Sequence, residues 1–187
     1  MFKHALAAAA ALGLSTAPAL ADEFTDVLSS ALQAYEEGDI TIAREELDYA
    51  VTLLKEMKSE SLSAYLPEPL PGWTREDAEG DGAGMAMAML GGGTTAAAKY
   101  SNGTTDMTIT LIANSPVVSS IGGMITGMAS LGGGKPTRIQ RTQFADNDGE
   151  MQGVIDNRIL VSVSGQASVE DKTAQLDAMD FSALRDF

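Results

Sequence analysis

The chain has 187 residues, no cysteine and one histidine, and 12 Lys and Arg against 26 Asp and Glu give it a formal net charge of −14. Without cysteine it can form no disulfide or Cys/His zinc site, and it has no thiol nucleophile. So acidic a chain disfavours nucleic acid and anionic membrane surfaces as partners, and it favours solubility and cationic partners. A chain of this length can nevertheless bury a core large enough to fold without cross-links.

Residues 1–21 have the pattern of a signal peptide. Lys3 supplies the positive start, residues 5–14 form a short apolar run, and Ala19-Leu20-Ala21 matches an A-x-A cleavage site. Cleavage would remove His4 and leave 11 Lys and Arg against 26 Asp and Glu, a net of −15. We therefore expect a protein of the bacterial periplasm, exported by the general secretory route, or a secreted one. The mature chain would lack the imidazole that Ser-His-Asp catalysis requires.

Residues 22–66 predict a helical hairpin. Gly38 is suited to ending the first helix, and Asp39 is suited to capping the second. Apolar residues recur at helical spacing on both sides of this turn. The first stripe is Val27, Leu28, Ala31, Leu32 and Tyr35, and the second is Ala43, Leu47, Ala50, Val51 and Leu54.

The hairpin resembles a single tetratricopeptide unit of about 34 residues. The family's small and large apolar positions are matched by Ala31, Ala34, Gly38, Ala43, Leu47 and Ala50, whereas Val27 stands where it has a large aromatic residue and Lys55 where it has its closing proline. A lone repeat cannot bury its own apolar faces. We therefore expect the hairpin to pack on the following domain of its own chain or on a second copy as a homodimer, with a binding groove for a partner as the alternative.

Residues 67–73 predict a proline-rich linker, because prolines at alternate positions hold the chain extended and end the preceding helix. Trp73, the only tryptophan, is expected to anchor the next unit in its core. The longest uncharged stretch, Met107–Gly134, is interrupted throughout by Gly, Ser, Thr, Asn and Pro. It is therefore not expected to be a transmembrane anchor.

Residues 74–187 predict an α+β domain in which an antiparallel sheet is covered by helices. A middle helix is expected to begin at Ser115-Pro116, and a closing helix is expected over Ser168–Asp180. One sheet face should be rich in hydroxyls and solvated, since Thr108, Thr110, Ser162 and Ser164 alternate with apolar residues. The predicted strands are Thr94–Ser101, Met107–Ala113, Thr137–Ala145, Glu150–Ile155 and Ile159–Ser164.

The order of these elements resembles the PsbP-like group of small exported αβα proteins. Gly72-Trp73, Ser115-Pro116 and Ile159–Gly165 carry the resemblance, which spans residues 72–181. It implies an αβα sandwich and a non-catalytic assembly or accessory role. The N-terminal hairpin and the Met/Gly-rich stretch 80–93 depart from the group.

The stretch 80–93 contains three alternating methionines, Met85, Met87 and Met89, flanked by glycines. Thioether sulfur selects Cu(I), so these residues are the candidate copper ligands, although the mature chain has no histidine or cysteine to complete a site. Methionine is also an adaptable apolar filler. The same residues could therefore pack in the core, or form a partner contact together with Leu90, Gly123 and Gly127.

The leading functional hypothesis is an exported, non-catalytic binding or accessory protein that contacts a protein or an apolar ligand through an uncharged Gly/Met-rich surface. The alternatives are a periplasmic copper-handling protein and an enzyme without His or Cys chemistry. The sequence has no G-x-S-x-G motif and no phosphate loop. We therefore expect neither catalytic residues nor an organic cofactor.

Overall fold

A computed structural model of the chain describes residues 19–78, 93–118, 120–123 and 137–187. The chain divides into two compact units, the first ending at Leu54 and the second running from Lys55 to Phe187. The division falls inside the second helix.

The first unit contains α1 (Ala19–Glu36) and the greater part of α2 (Ile40–Ser63). The turn between them follows the sequence prediction. Gly38 has a φ of 86°, and the N–H groups of Gly38 and Asp39 donate to the last turn of α1 at 3.1 and 2.9 Å, as in a Schellman motif. Asp39 then caps α2, its carboxylate accepting from the N–H of Ile42 at 3.1 Å.

The two helices run antiparallel. Phe24 and Val27, near the start of α1, pack with Ala50 and Leu53 of α2. The Tyr49 hydroxyl donates to the carboxylate of Glu23 at 2.6 Å. The two helices therefore remain in contact about three helical turns away from the Gly38 turn that joins them.

In the described part of the second unit, seven strands form one antiparallel sheet in the order β1-β2-β3-β7-β6-β5-β4. The α+β fold class predicted from the sequence is therefore confirmed. The strands form two meanders, which are joined at the centre by the pairing of β3 with β7. The strands are β1 (Thr74–Asp77), β2 (Thr94–Ser101), β3 (Asp106–Ala113), β4 (Thr137–Ile139), β5 (Thr142–Asn147), β6 (Glu150–Ile155) and β7 (Ile159–Ser164).

One face of the sheet carries the main core. It is covered by α3 (Val169–Asp177), by α4 (Phe181–Leu184) and by residues at and just beyond the end of α2. Alternate strand residues point into this core, as the period of two predicts. Its largest fully buried members include Tyr100, Met107, Ile109, Leu111, Phe144, Met151 and Phe181.

The opposite face is lined with hydroxyl groups, which confirms the alternation read from the sequence. Thr108 pairs with Ser164, and Thr110 pairs with Ser162. A smaller apolar cluster follows on this face, where Ile112 and Leu160 meet Val118. Val118 belongs to the predicted middle helix, of which residues 116–118 and 120–123 are described as helical.

Two predicted elements are wrong in extent. Thr137–Ala145 is not one strand, because Gln140 and Arg141 adopt positive φ values of 45° and 72° and form the tight turn between β4 and β5. The closing helix ends at Asp177, and α4 follows separately. Asp180 starts this new helix, since its carboxylate accepts from the N–H groups of Ser182 and Ala183.

The buried side of the closing helix carries two polar residues. Val169 is 43% exposed, whereas Lys172 and Gln175 are buried together with Leu176. Gln175 binds the proline-rich segment, donating to the carbonyl oxygen of Glu68 at 2.6 Å and accepting from the N–H of Leu70 at 3.2 Å. Trp73, as predicted, packs against the main core, although it is only partly buried.

Because Tyr100 is buried, we expect the free energy of unfolding to fall at alkaline pH. Burial raises the pKa of its phenol, whose hydroxyl donates to the carbonyl oxygen of Pro67 at 2.7 Å. In the unfolded chain the phenol ionises near pH 10 while the folded chain keeps the proton, so stability falls as pH rises beyond that value, by at most about 1.4 kcal/mol per pH unit. Urea unfolding at pH 7 and at pH 11 checks this.

Tyr100→Phe is the matched control for that measurement. At pH 7 the variant should lose about 1 kcal/mol, since the Pro67 carbonyl loses its donor. Above pH 10 its stability should fall less steeply than that of the wild type. Equal slopes in the two proteins would contradict the assignment.

Candidate functional site

Nine large apolar side chains are exposed in the described part of the first unit, and we term seven of them, which lie on one side of the helical pair, the apolar face. Their exposed fractions range from 39% at Leu28 to 64% at Tyr35. Contiguous exposed apolar patches are uncommon on soluble proteins and mark interaction sites. The apolar face consists of Leu28, Leu32 and Tyr35 of α1 and Ile40, Leu47, Val51 and Leu54 of α2.

Each helix carries a buried stripe and an exposed stripe side by side. In α1 the buried stripe is Val27, Ala31 and Ala34, and the exposed stripe is displaced from it by one residue, about 100° around the helix. In α2 the buried stripe is Ala43, Ala50 and Leu53. Viewed along each helix from its N-terminus, the exposed stripe of α2 is rotated from its buried stripe in the same direction as in α1.

Both exposed stripes lie on one side of the pair, because the helices run antiparallel and the two displacements have the same sense. The Tyr49–Glu23 hydrogen bond lies at the opposite edge, which is consistent with this assignment. Ile42 belongs to that opposite edge too, and it is 47% exposed. The pair therefore presents a continuous apolar face on one side and a more polar edge on the other.

The packing between the helices explains why the larger side chains remain outside. Four of the buried positions are alanines, namely Ala31, Ala34, Ala43 and Ala50. Small residues fill little volume, so the contact covers the stripe beside it only in part. Within the first unit, the packing of the two helices therefore leaves the seven residues of the apolar face exposed.

The first unit is strongly acidic around this face. Residues 22–54 contain nine Asp and Glu against the single basic residue Arg44, a net of −8. Arg44 forms an exposed i, i+4 pair with Asp48 at 3.8 Å, and such a pair contributes little to stability. On the helical wheel most of the carboxylates lie away from the seven apolar residues, so the face itself stays uncharged.

Most of the sequence-predicted site residues lie outside the described ranges. These are Met85, Met87, Met89, Leu90 and Gly127, so the copper site and the Gly/Met contact remain predictions. Gly123 is described and exposed, and a side chain there would meet no described atom within 4 Å. Among the residues that the structure describes, no group of three or more His, Cys, Asp or Glu is arranged to hold a metal ion.

No described helix combines the length and the apolar character needed to cross a membrane. Comparisons with known protein families, with curated proteins and with solved structures find no match for this chain. The resemblances to PsbP-like proteins and to a tetratricopeptide unit therefore remain hypotheses.

Proposed function

We propose that this chain is an exported, non-catalytic binding or accessory protein that docks on a partner through the apolar face of its helical pair. The observation that carries the proposal is the clustering, on one side of the helical pair, of seven of the nine large apolar side chains exposed in the described part of the first unit. Burying such side chains is the main source of affinity in helix-in-groove recognition.

The charge of the first unit selects the kind of partner. A second copy of the chain would bring a unit of net −8 against another of the same charge, which opposes association. A partner whose apolar stripe is flanked by Lys and Arg would instead meet a complementary field. We therefore assign the apolar face to a basic amphipathic helix of another protein.

Titration with a synthetic helix tests this assignment. The probe is a leucine–lysine amphipathic peptide about 18 residues long, which is long enough to form a helix when bound. The double variant Leu32→Ser, Leu47→Ser should bind it about tenfold more weakly or worse than the wild-type chain, because two leucines no longer bury apolar surface. Fluorescence anisotropy of the labelled peptide measures the affinity.

The control is Ile42→Ser, which removes a side chain of similar exposure from the opposite edge. It should keep wild-type affinity, and rising salt should weaken binding by screening the attraction. Equal losses in both variants would contradict the proposal. So would self-association of the chain that strengthens with salt, since that outcome assigns the apolar face to a second copy.

A further inference from the structure

The second unit contains a cavity of about 350 Å³ that no part of the proposed docking function uses. It lies where the β4–β5 turn, the β6–β7 turn and the end of α4 meet. A cavity of this volume is at the lower end of the range that holds small-molecule ligands. Its principal lining residues are Arg141, Thr142, Gln143, Val154, Asp156 and Arg185.

Two arginines, Arg141 and Arg185, line this cavity in a chain of net charge −14. Within the described part of the chain, neither the Arg141 nor the Arg185 side chain has an ion-pair or hydrogen-bond partner. Asp156 also lines the cavity, but Arg158 lies 3.5 Å from its carboxylate and offsets its charge. The charge that remains at the cavity is therefore positive.

The backbone holds Arg141 in a conformation that arginine rarely adopts. Its φ is 72° and that of Gln140 is 45°, in a two-residue turn for which Asn-Gly is the favoured sequence. The Gln140 side chain stabilises this turn, donating to the carbonyl oxygens of Asp177 and Met179 at 2.9 and 2.7 Å and accepting from the N–H of Phe181 at 3.4 Å. Strained positions that the surroundings stabilise in this way cluster at binding sites.

Arg185 is fixed from the other side of the cavity. Arg158 donates from its guanidinium to the carbonyl oxygen of Arg185 at 2.8 Å, which ties the end of α4 to the β6–β7 turn. Both unpaired arginines are therefore carried by backbone that other side chains hold in position. Preorganisation of this kind reduces the entropy lost on binding.

We propose that this cavity binds the oxyanion group of a small molecule, a phosphate or a carboxylate, between Arg141 and Arg185. Guanidinium groups bind both anions through paired N–H donors. Thr142 and Gln143 provide further polar groups beside the anion, and Val154 provides an apolar surface for the rest of the ligand. This site is independent of the apolar face, which belongs to the first unit.

Calorimetric titration of the full chain with inorganic phosphate and with succinate tests the proposal. At least one of the two anions should bind saturably, and the tighter one identifies the source of the oxyanion. The double variant Arg141→Gln, Arg185→Gln should weaken that binding about tenfold or more, the loss expected when charge-assisted hydrogen bonds are removed. Both side chains are exposed, so the thermal unfolding midpoint of the variant should stay close to that of the wild type.

Arg44→Gln paired with Lys58→Gln is the matched control, because it makes the same change in net charge outside the cavity. It should bind the anion as tightly as the wild type. The proposal is overturned if neither anion binds saturably, if the cavity variant keeps wild-type affinity, or if the control loses as much.

Discussion

Replacing Gly165 by alanine is expected to lower the free energy of unfolding by about 3 kcal/mol or more. Gly165 has a φ of 110°, which L residues rarely adopt, and a Cβ there would lie 2.7 Å from the carbonyl oxygen of Asp106 and 2.8 Å from the Cα of Met107. These are backbone atoms of β3, and the Asp106 carbonyl is also held by the N–H of Ala167 at 2.9 Å. Neither can move aside without disturbing the sheet. Urea unfolding measures the loss.

Gly103→Ala is the control that distinguishes the cost of a positive φ from the cost of a steric clash. Gly103 also has a positive φ, 83°, but a Cβ there would meet nothing within 4 Å. This control should lose only the conformational part, about 1 kcal/mol. If both variants lose the same amount, the close approach of Gly165 to β3 does not exist in solution.

The second large effect is expected at Lys172, whose replacement by methionine should lower the free energy of unfolding by about 3 kcal/mol. Lys172 is 1% exposed, and its ammonium group donates to the carbonyl oxygens of Gly149 and Gly165. It thereby joins the β5–β6 turn to the connection between β7 and α3. Methionine fills most of the volume but leaves both carbonyls without this donor. Guanidinium-induced unfolding provides the measurement.

Lys99→Met removes the same charge from an exposed position. Lys99 forms an ion pair with Asp106 at 3.0 Å, and the two side chains are 52% and 40% exposed. Its loss should change the free energy of unfolding by less than about 1 kcal/mol. Lys172→Met behaving like this control would show that the buried ammonium contributes no more than a surface charge.

The turns were the most predictable part of this fold, because their chemistry is local. Gly38 followed by Asp39, and Asp156 followed by Asn157, are residues that tolerate or favour the backbone conformations they adopt, with φ values of 86° at Gly38 and 48° at Asp156. The alternation in β3 and β7 likewise fixed which residues face the core. Each of these signals lies within a few neighbouring residues.

The turn at Gln140-Arg141 could not be predicted in this way. Neither residue favours a positive φ, so the sequence predicts one continuous strand over this stretch. What stabilises the turn is the Gln140 side chain, which bonds to backbone groups about 40 residues further along the chain. The convergence of Arg141 and Arg185 on one cavity depends on the same distant contacts.

The sequence also does not predict which apolar residues of the two helices are buried and which are exposed. Leu28 and Val27 both fit the apolar period of α1, but Val27 is buried and Leu28 is 39% exposed. Periodicity identifies an apolar side of a helix and does not say how much of it a neighbour covers. The sequence does not predict the burial of Lys172 either, since lysine is almost never fully buried unless a partner binds its ammonium.

The most direct test of the docking account is a methyl NMR spectrum of the full chain with and without the leucine–lysine peptide. Binding at the apolar face predicts that the methyl signals of Leu28, Leu32, Leu47, Val51 and Leu54 shift together and saturate with the peptide, while those of Ile42 stay in place. Shifts centred on Ile42 or on the second unit, or none at saturating peptide, would contradict it.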